Sequence, residues 1–214
     1  MNIVSVITAR GGSKGIPRKN IVDLNGKPLI YYSIKASKDS YVNKTFVSTD
    51  SSEISDISFE CGVGGVIHRP KHLSTDKSKS EDALLHFAGM VDFDILVFIQ
   101  PTSPLIKTEY INSGINMIKS GDYDSIFTVT KEHWIPRWDM NIKPVDWDIN
   151  NRPMRQDKSE LYIENGLFYI TTRKSLLSNK LRYGGKMGVV EIPLENSFQI
   201  DTLEDLELIR KIMK

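Results

Sequence analysis

"NIVSVITARGGSKGIPRKN", residues 2–20, joins an apolar, β-branched run (2–8) to a loop carrying Gly11, Gly12 and Gly15 among four cations, Arg10, Lys14, Arg18 and Lys19. A short Val/Ile run of this kind predicts a strand buried on both faces. Glycines directly after it predict a loop that approaches a ligand closely and points backbone amides at an anion. With the cations as charge-assisted donors, the consistent ligand is a polyphosphate; the bland alternative is a solvated basic turn. Two common phosphate loops are excluded. A Walker loop ends in Gly-Lys-Ser/Thr, where this chain has Gly15-Ile16-Pro17. In a dinucleotide fingerprint the glycines open a helix, whereas Pro17 biases Ile16 to extended geometry and delays the helix by about ten residues. A long, irregular, basic loop between first strand and first helix points to nucleotidyl transfer, in which a leaving pyrophosphate must be gripped and neutralised.

Beyond this loop, strand-like and helix-like runs alternate. The strand candidates are 44–50, 64–70, 94–100 and 125–132, and the helix candidates are 28–37, 51–62, 80–91 and the amphipathic run 109–123, with Ile111, Ile115 and Ile118 on one face. This grammar predicts an α/β protein, with a mostly parallel sheet covered by helices on both faces and ligands at the carboxyl ends of the strands. The pattern breaks at 133–160, which holds all three tryptophans and three prolines without a clean period, and an inserted arm or interface segment is expected there. It resumes with "LYIENGLFYITT" (161–172), whose Asn-Gly reads as a turn or a bulge, then strand candidates 186–193 and 197–201. A closing helix has Leu203, Leu206, Ile209 and Met213 in one stripe and Asp201 or Thr202 as its cap.

At 214 residues the chain fits one domain, 1–214, with 133–160 as an insertion. Twenty-eight basic against 27 acidic residues give a net charge of +1, so nothing global points to nucleic acid or a membrane surface. The lone Cys61 cannot form an internal disulfide and reads as a packing residue. With neither a charged leader nor a bilayer-length apolar run, the expected compartment is the cytoplasm. The four histidines lack metal-ligand spacing.

"ARGGSKGIPRKNI", "GKPLIYYSI", "VSTD", "RPKHLSTDKSKS", "IQPTSPL", "YIENGLFYI" and "FQIDTLEDL" together resemble the acylneuraminate cytidylyltransferases, the CMP-sialic acid synthetases and their bacterial CMP-nonulosonate relatives. The resemblance spans nearly the whole chain, in order. It implies a three-layer sandwich with a Rossmann-like sheet of the nucleotide-diphospho-sugar transferase type and a dimerisation arm. It also implies a reaction: CMP passes from CTP to the anomeric hydroxyl of a nine-carbon acid sugar, pyrophosphate leaves, and the CMP-sugar serves surface glycan synthesis. The other enzyme reading is a sugar-1-phosphate nucleotidyltransferase using another base; a nucleotide-binding regulatory module is a third possibility.

Residue by residue, the resemblance gives Arg10, Lys19 and Asp201 catalytic roles. Gly11, Gly12, Lys14, Asn20, Arg69, Ser78, Ser80 and Gln100 would bind nucleotide, with helix capping the alternative for the serines. Gln100, Thr102, Ser103, Asn165 and Tyr169 would meet the sugar, turn chemistry being the alternative for Asn165. Arg137 and Arg155 would reach the acid sugar of a neighbouring subunit in a homodimer. Asp201 would hold Mg²⁺. The chain departs from the pattern at Gln199, which replaces the first carboxylate of Asp-x-Asp, at Ile106-Lys107, and at Arg182-Tyr183, where the family packs the sugar's acyl group.

Overall fold

The computed structural model describes residues 1–154, 156 and 160–213. In chain order the elements are β1 (Ile3–Thr8), β2 (Asp23–Leu24), β3 (Lys27–Pro28), α1 (Leu29–Lys38), β4 (Lys44–Thr49), α2 (Ser52–Glu60), β5 (Gly65–His68), α3 (Ser80–Met90) and β6 (Ile95–Ile99). There follow α4 (Thr108–Lys119), β7 (Ser125–Lys131), β8 (Arg137–Trp138), β9 (Pro144–Val145), β10 (Tyr162–Thr172), α5 (Arg173–Asn179), β11 (Met187–Glu191) and α6 (Leu203–Ile212).

Seven strands form one sheet in the order β11-β7-β10-β6-β1-β4-β5. Every neighbouring pair is parallel except those of β10, which runs antiparallel to both β6 and β7. Successive side chains of a strand face opposite sides, and the core divides accordingly. Ile3 and Ile7 of β1 pack with Ile30 and Ile34 of α1, Ile54 of α2 and Ile111, Ile115 and Ile118 of α4. Val4 and Val6 pack on the other face with Leu84 and Phe87 of α3 and Leu176 of α5. The result is the expected three-layer sandwich. A third cluster, Ile16, Leu24, Leu29, Ile200, Leu206 and Ile209, pins the glycine-rich loop and the segment before α6 together at one end of the sheet.

The Asn165-Gly166 pair proves to be a bulge. The β10–β7 register shifts between Glu164 and Tyr169, and Gly166 takes φ +69°, a left-handed conformation that favours glycine. The strand expected at 197–201 is not formed: Ile200 instead donates its N–H to the Thr102 carbonyl at 2.8 Å and buries its side chain under α6. Thr202, not Asp201, caps α6. Its hydroxyl accepts from the Asp205 N–H at 3.2 Å, and the Asp205 carboxylate accepts from Thr202 N–H at 2.8 Å and Asp201 N–H at 3.0 Å. Leu203 is exposed, so the buried stripe of that helix begins at Leu206.

Within 133–160, the described residues form the β8–β9 hairpin. The Trp147 indole donates to the Arg137 carbonyl at 3.0 Å and meets Trp138 edge-on, with ring centroids 5.0 Å apart. Met140 and Ile142 are 98% and 78% exposed, and among the described residues of this segment none is buried in the core. Among the described residues, no helix is long and apolar enough to cross a membrane.

Candidate active site

Strands β1, β4, β5 and β6 are parallel, so their carboxyl ends share one edge of the sheet. There the chain leaves β1 into residues 9–18, β5 into Arg69 and β6 into Gln100. A cleft of about 400 Å³ opens at this edge. Its walls include Arg10, Lys14, Lys19 and Asn20 from the first loop, Arg69, Ser78 and Ser80 beyond β5, Gln100 and Thr102 after β6, and Asp201.

The loop is braced to hold its cations inward. Asn20 is buried, and its amide donates to the Arg10 carbonyl at 2.9 Å, tying the two ends of the loop together. The Gly11 N–H is fixed by the Asp50 carboxylate at 2.9 Å. At Gly15 a Cβ would fall 2.6 Å from the Asp201 carbonyl oxygen, so only glycine lets the loop lie this close to the C-terminal segment. Lys19 Nζ then reaches Asp201 Oδ1 at 2.8 Å. Since Thr202 caps the helix, the Asp201 carboxylate is left facing the cleft. Arg18 departs from expectation. It sits at φ 58°, and its guanidinium turns away to pair with Glu53 of α2.

Arg69 is only 8% exposed, and its Nε has no protein partner. Burial, partly offset by Asp50, lowers its pKa. Thr102 and Ser103 likewise have buried hydroxyls without partners, Thr102 in the cleft wall and Ser103 behind it. Ser78 is at the wall, but its hydroxyl braces its own turn, accepting from Thr75 N–H at 3.1 Å and donating to the His72 carbonyl at 3.0 Å. Ser80 is the first residue of α3, and the N-terminus of that helix is closed by Asp82, which accepts from Lys79 N–H at 3.0 Å.

The residues expected on the sugar side lie deeper. Tyr169 is buried, stacked on Phe98 with ring centroids 5.6 Å apart, and donates its hydroxyl to Glu164 at 2.5 Å. Burial, reinforced by Glu164, raises its pKa. Arg182 lies over the Tyr169 ring at 4.9 Å and forms a bidentate pair with Glu81, at 2.6 and 3.1 Å. Phe98, part of this stack, also lines the cleft. Asn165 does turn work: its Oδ1 accepts from Leu167 N–H at 3.3 Å and its amide donates to Thr130 at 2.8 Å. Gln199 donates to the Asn165 carbonyl, supporting the bulge. Among the described residues Gly11, Gly12, Ser103, Asn165 and Tyr169 stand off the cleft wall. Arg137 is on the hairpin, paired with Asp146 at 3.0 Å, and Arg155 lies outside the described residues.

Sequence reasoning overlooked Asp76, which lines the cleft, and the Glu81–Arg182 and Tyr169–Glu164 pairs behind it. Asp76 lay in a stretch read only for its serines, Glu81 meets an Arg182 that is 101 positions away, and Glu164 reaches Tyr169 across the bulge within β10. No group of three or more His, Cys, Asp or Glu side chains able to hold a metal occurs among the described residues. Two carboxylates line the cleft, Asp76, which is paired with Arg10 and Lys14, and Asp201. That suits Mg²⁺, which takes one or two carboxylates and completes its shell with phosphate oxygens and water.

A basic cleft at the carboxyl edge of a mostly parallel sheet defines an α/β protein built to seat an anionic ligand. More narrowly, the chain belongs to the cytidylyltransferase family, whose signature matches residues 4–214. It is 38% identical over 209 residues to N-acylneuraminate cytidylyltransferase A of Danio rerio, covering 94% of this chain and 48% of that protein. It is 33% identical to the CMP-N,N'-diacetyllegionaminic acid synthase of Legionella pneumophila, covering 100% of this chain and 97% of that one. The chain thus spans about half the length of the curated relatives it matches of the first kind, and nearly all of the second. In fold it is similar to the solved structure of CMP:2-keto-3-deoxy-manno-octonic acid synthetase complexed with CTP, with a TM-score of 0.78 at 17% identity, over 100% of this chain and 98% of that one.

Proposed function

We propose that this protein is a cytidylyltransferase that couples CTP to a nonulosonic, sialic-type acid and releases pyrophosphate. The observation that carries the reading is the convergence of Arg10, Lys14, Lys19 and Arg69 on one cleft. The relatives' names support CTP and an acid sugar as the substrates.

In this reading the anomeric hydroxyl attacks the α-phosphorus in line. A bond forms from the sugar oxygen to phosphorus, the bond from phosphorus to the β-bridging oxygen breaks, and the hydroxyl proton leaves to solvent. Catalysis is then mostly positioning and charge neutralisation. Arg10 and Lys14 hold the β- and γ-phosphates, and Lys19 stabilises charge building on the α-phosphate and the leaving oxygen. Asn20 keeps the loop shaped and faces the nucleoside, while Gly11 and Gly12 allow the backbone to approach it. Arg69 reads the base edge, with Ser78 and Ser80 shaping the wall around it. Gln100 stands between nucleotide and sugar, followed by Thr102 and Ser103. Tyr169 and Asn165 shape the sugar floor from behind. Asp201 would hold Mg²⁺, and that ion would supply neutralisation of triphosphate charge.

The exposed hairpin within 133–160 serves a homodimer of single-domain protomers, with Arg137 and Arg155 offered to the partner's acid sugar. The exposed apolar side chains Ile135, Met140 and Ile142 support that reading. A cytoplasmic location fits the lone thiol of Cys61, which burial keeps protonated by raising its pKa.

Pyrophosphate release, measured with each nucleoside triphosphate in turn against sialic, legionaminic, pseudaminic and shorter keto-deoxy acids, tests the proposal. A preference for CTP together with a nine-carbon acid is expected. Equal use of all four triphosphates, or release only with a sugar 1-phosphate, would refute it.

A further inference from the structure

Arg10 Nη1 and Lys14 Nζ both bind Asp76, at 2.8 Å and 2.6 Å, one on each carboxylate oxygen. These are the cations that the proposed function gives to the β- and γ-phosphates. Two oxygens of one anion, gripped by a guanidinium and an ammonium, have the geometry those groups would make with a phosphate. Asp76 is positioned for this by its turn. The Ser78 hydroxyl ties the backbone of Thr75 and His72 together, and Asp76 projects from the tie into the cleft wall. The two cations hold its carboxyl below the usual carboxylate range, so it is an anion across the whole neutral range.

We infer that Asp76 is an internal competitor, an anion that occupies the polyphosphate subsite and must be displaced by any ligand presenting several phosphates there. The pairs it makes are exposed enough to be broken: the side chains of Asp76 and Lys14 are 44% and 77% accessible, and such pairs are individually weak. A triphosphate replaces both contacts at once and brings more charge than one carboxylate. A nucleoside monophosphate places its single phosphate near Lys19 and gains nothing from Arg10 or Lys14. Asp76 therefore raises the threshold for polyphosphates and leaves monophosphate binding alone. It also competes for the same cations when pyrophosphate departs. Because the turn bearing Asp76 also bears Ser78 and leads into Ser80, its displacement couples triphosphate entry to the wall beside Arg69.

The inference rests on the triphosphate reading of this cleft, and the experiment separates the two. Calorimetric binding of inorganic tripolyphosphate and of CMP is measured on wild-type, Asp76→Asn and Asp76→Ala protein, with thermal unfolding as the check on folding. Tripolyphosphate is expected to bind both variants roughly three- to tenfold more tightly than wild type, with CMP unchanged. Adding Lys14→Ala to Asp76→Asn should abolish the gain. Equal or weaker tripolyphosphate binding by folded variants, or the same gain for CMP, would overturn the inference while leaving the triphosphate reading intact. No tripolyphosphate binding by wild type or either variant would overturn both.

Discussion

Lys19 Nζ lies 2.8 Å from Asp201 Oδ1, although the two residues are 182 positions apart. Lys19 is largely enclosed, with 16% of its side chain accessible, while the carboxylate it meets is 66% accessible. An enclosed ammonium held by an open acid is poised to transfer its attention to an incoming phosphate.

Lys19→Ala is accordingly expected to lower turnover by about 10²–10³, the usual cost of removing one preorganised charge at a developing anion. The unfolding temperature should change little, because a half-exposed pair adds little stability. Steady-state pyrophosphate release and a thermal melt on the same sample check both halves.

Gly15→Ala tests the close approach between the first loop and Asp201. A Cβ there must push back a backbone carbonyl 2.6 Å away, with no flexible side chain to absorb the displacement. We expect the loop and the Asp201 segment to separate, with KM for CTP raised by about tenfold or more, consistent with the sensitivity of such sites to ångström shifts. Wild-type kinetics would show that the loop is free to move.

Gln199→Asp places a carboxylate where the native side chain donates to the Asn165 carbonyl at the β10 bulge. A carboxylate cannot donate, so two acceptors would face each other. A loss of about 1–3 kcal/mol is expected, measurable by denaturant unfolding. Gln199→Leu, which removes the donor without adding charge, should cost less.

Glu81→Gln addresses acid stability. Burial opposes the ionised form of Glu81, but hydrogen bonds and charge from Arg182 outweigh it and hold the carboxyl below its usual range. A depressed folded-state value means that the pair stabilises the protein above the ordinary glutamate range and is lost as pH falls through the lower, folded-state value. The variant should be less stable at neutral pH by about 1–3 kcal/mol. The gap between the two proteins should close as both are taken to acid, in chemical unfolding series at stepped pH.

The sandwich was readable because its signals are local. Val/Ile runs such as 3–8 and 95–99 and the spaced isoleucines of α4 each carry their own period. Three features were not. The run 197–201, Ser-Phe-Gln-Ile-Asp, alternates as a strand would, but the Ile200 N–H is taken by the Thr102 carbonyl and its side chain is drawn into the α6 cluster. Helix α5, at seven residues, is too short to show a period, and its one local sign is Thr172, whose hydroxyl accepts from Ser175 N–H at 3.1 Å. In the cleft, Arg10, Lys14 and Lys19 were expected from cations set among glycines, while Arg69 and Gln100 were expected only from the resemblance of their motifs; all five line the cleft wall. Asp76 was passed over because an acid among lysines looks solvated until Arg10, 66 positions earlier, is seen to hold it.

β10 has a consequence for how the protein is made. It pairs with β6 on one side and β7 on the other, and among the described residues no other strand joins the two parts of the sheet. A nascent chain can assemble β5, β4, β1 and β6 from its first hundred or so residues, but the open edge of β6 stays uncovered until Thr172 has left the ribosome. Translation therefore passes through an interval in which a half-built sheet presents an unpaired, apolar strand to its surroundings. The speed at which residues 100–172 are synthesised sets how long that exposure lasts.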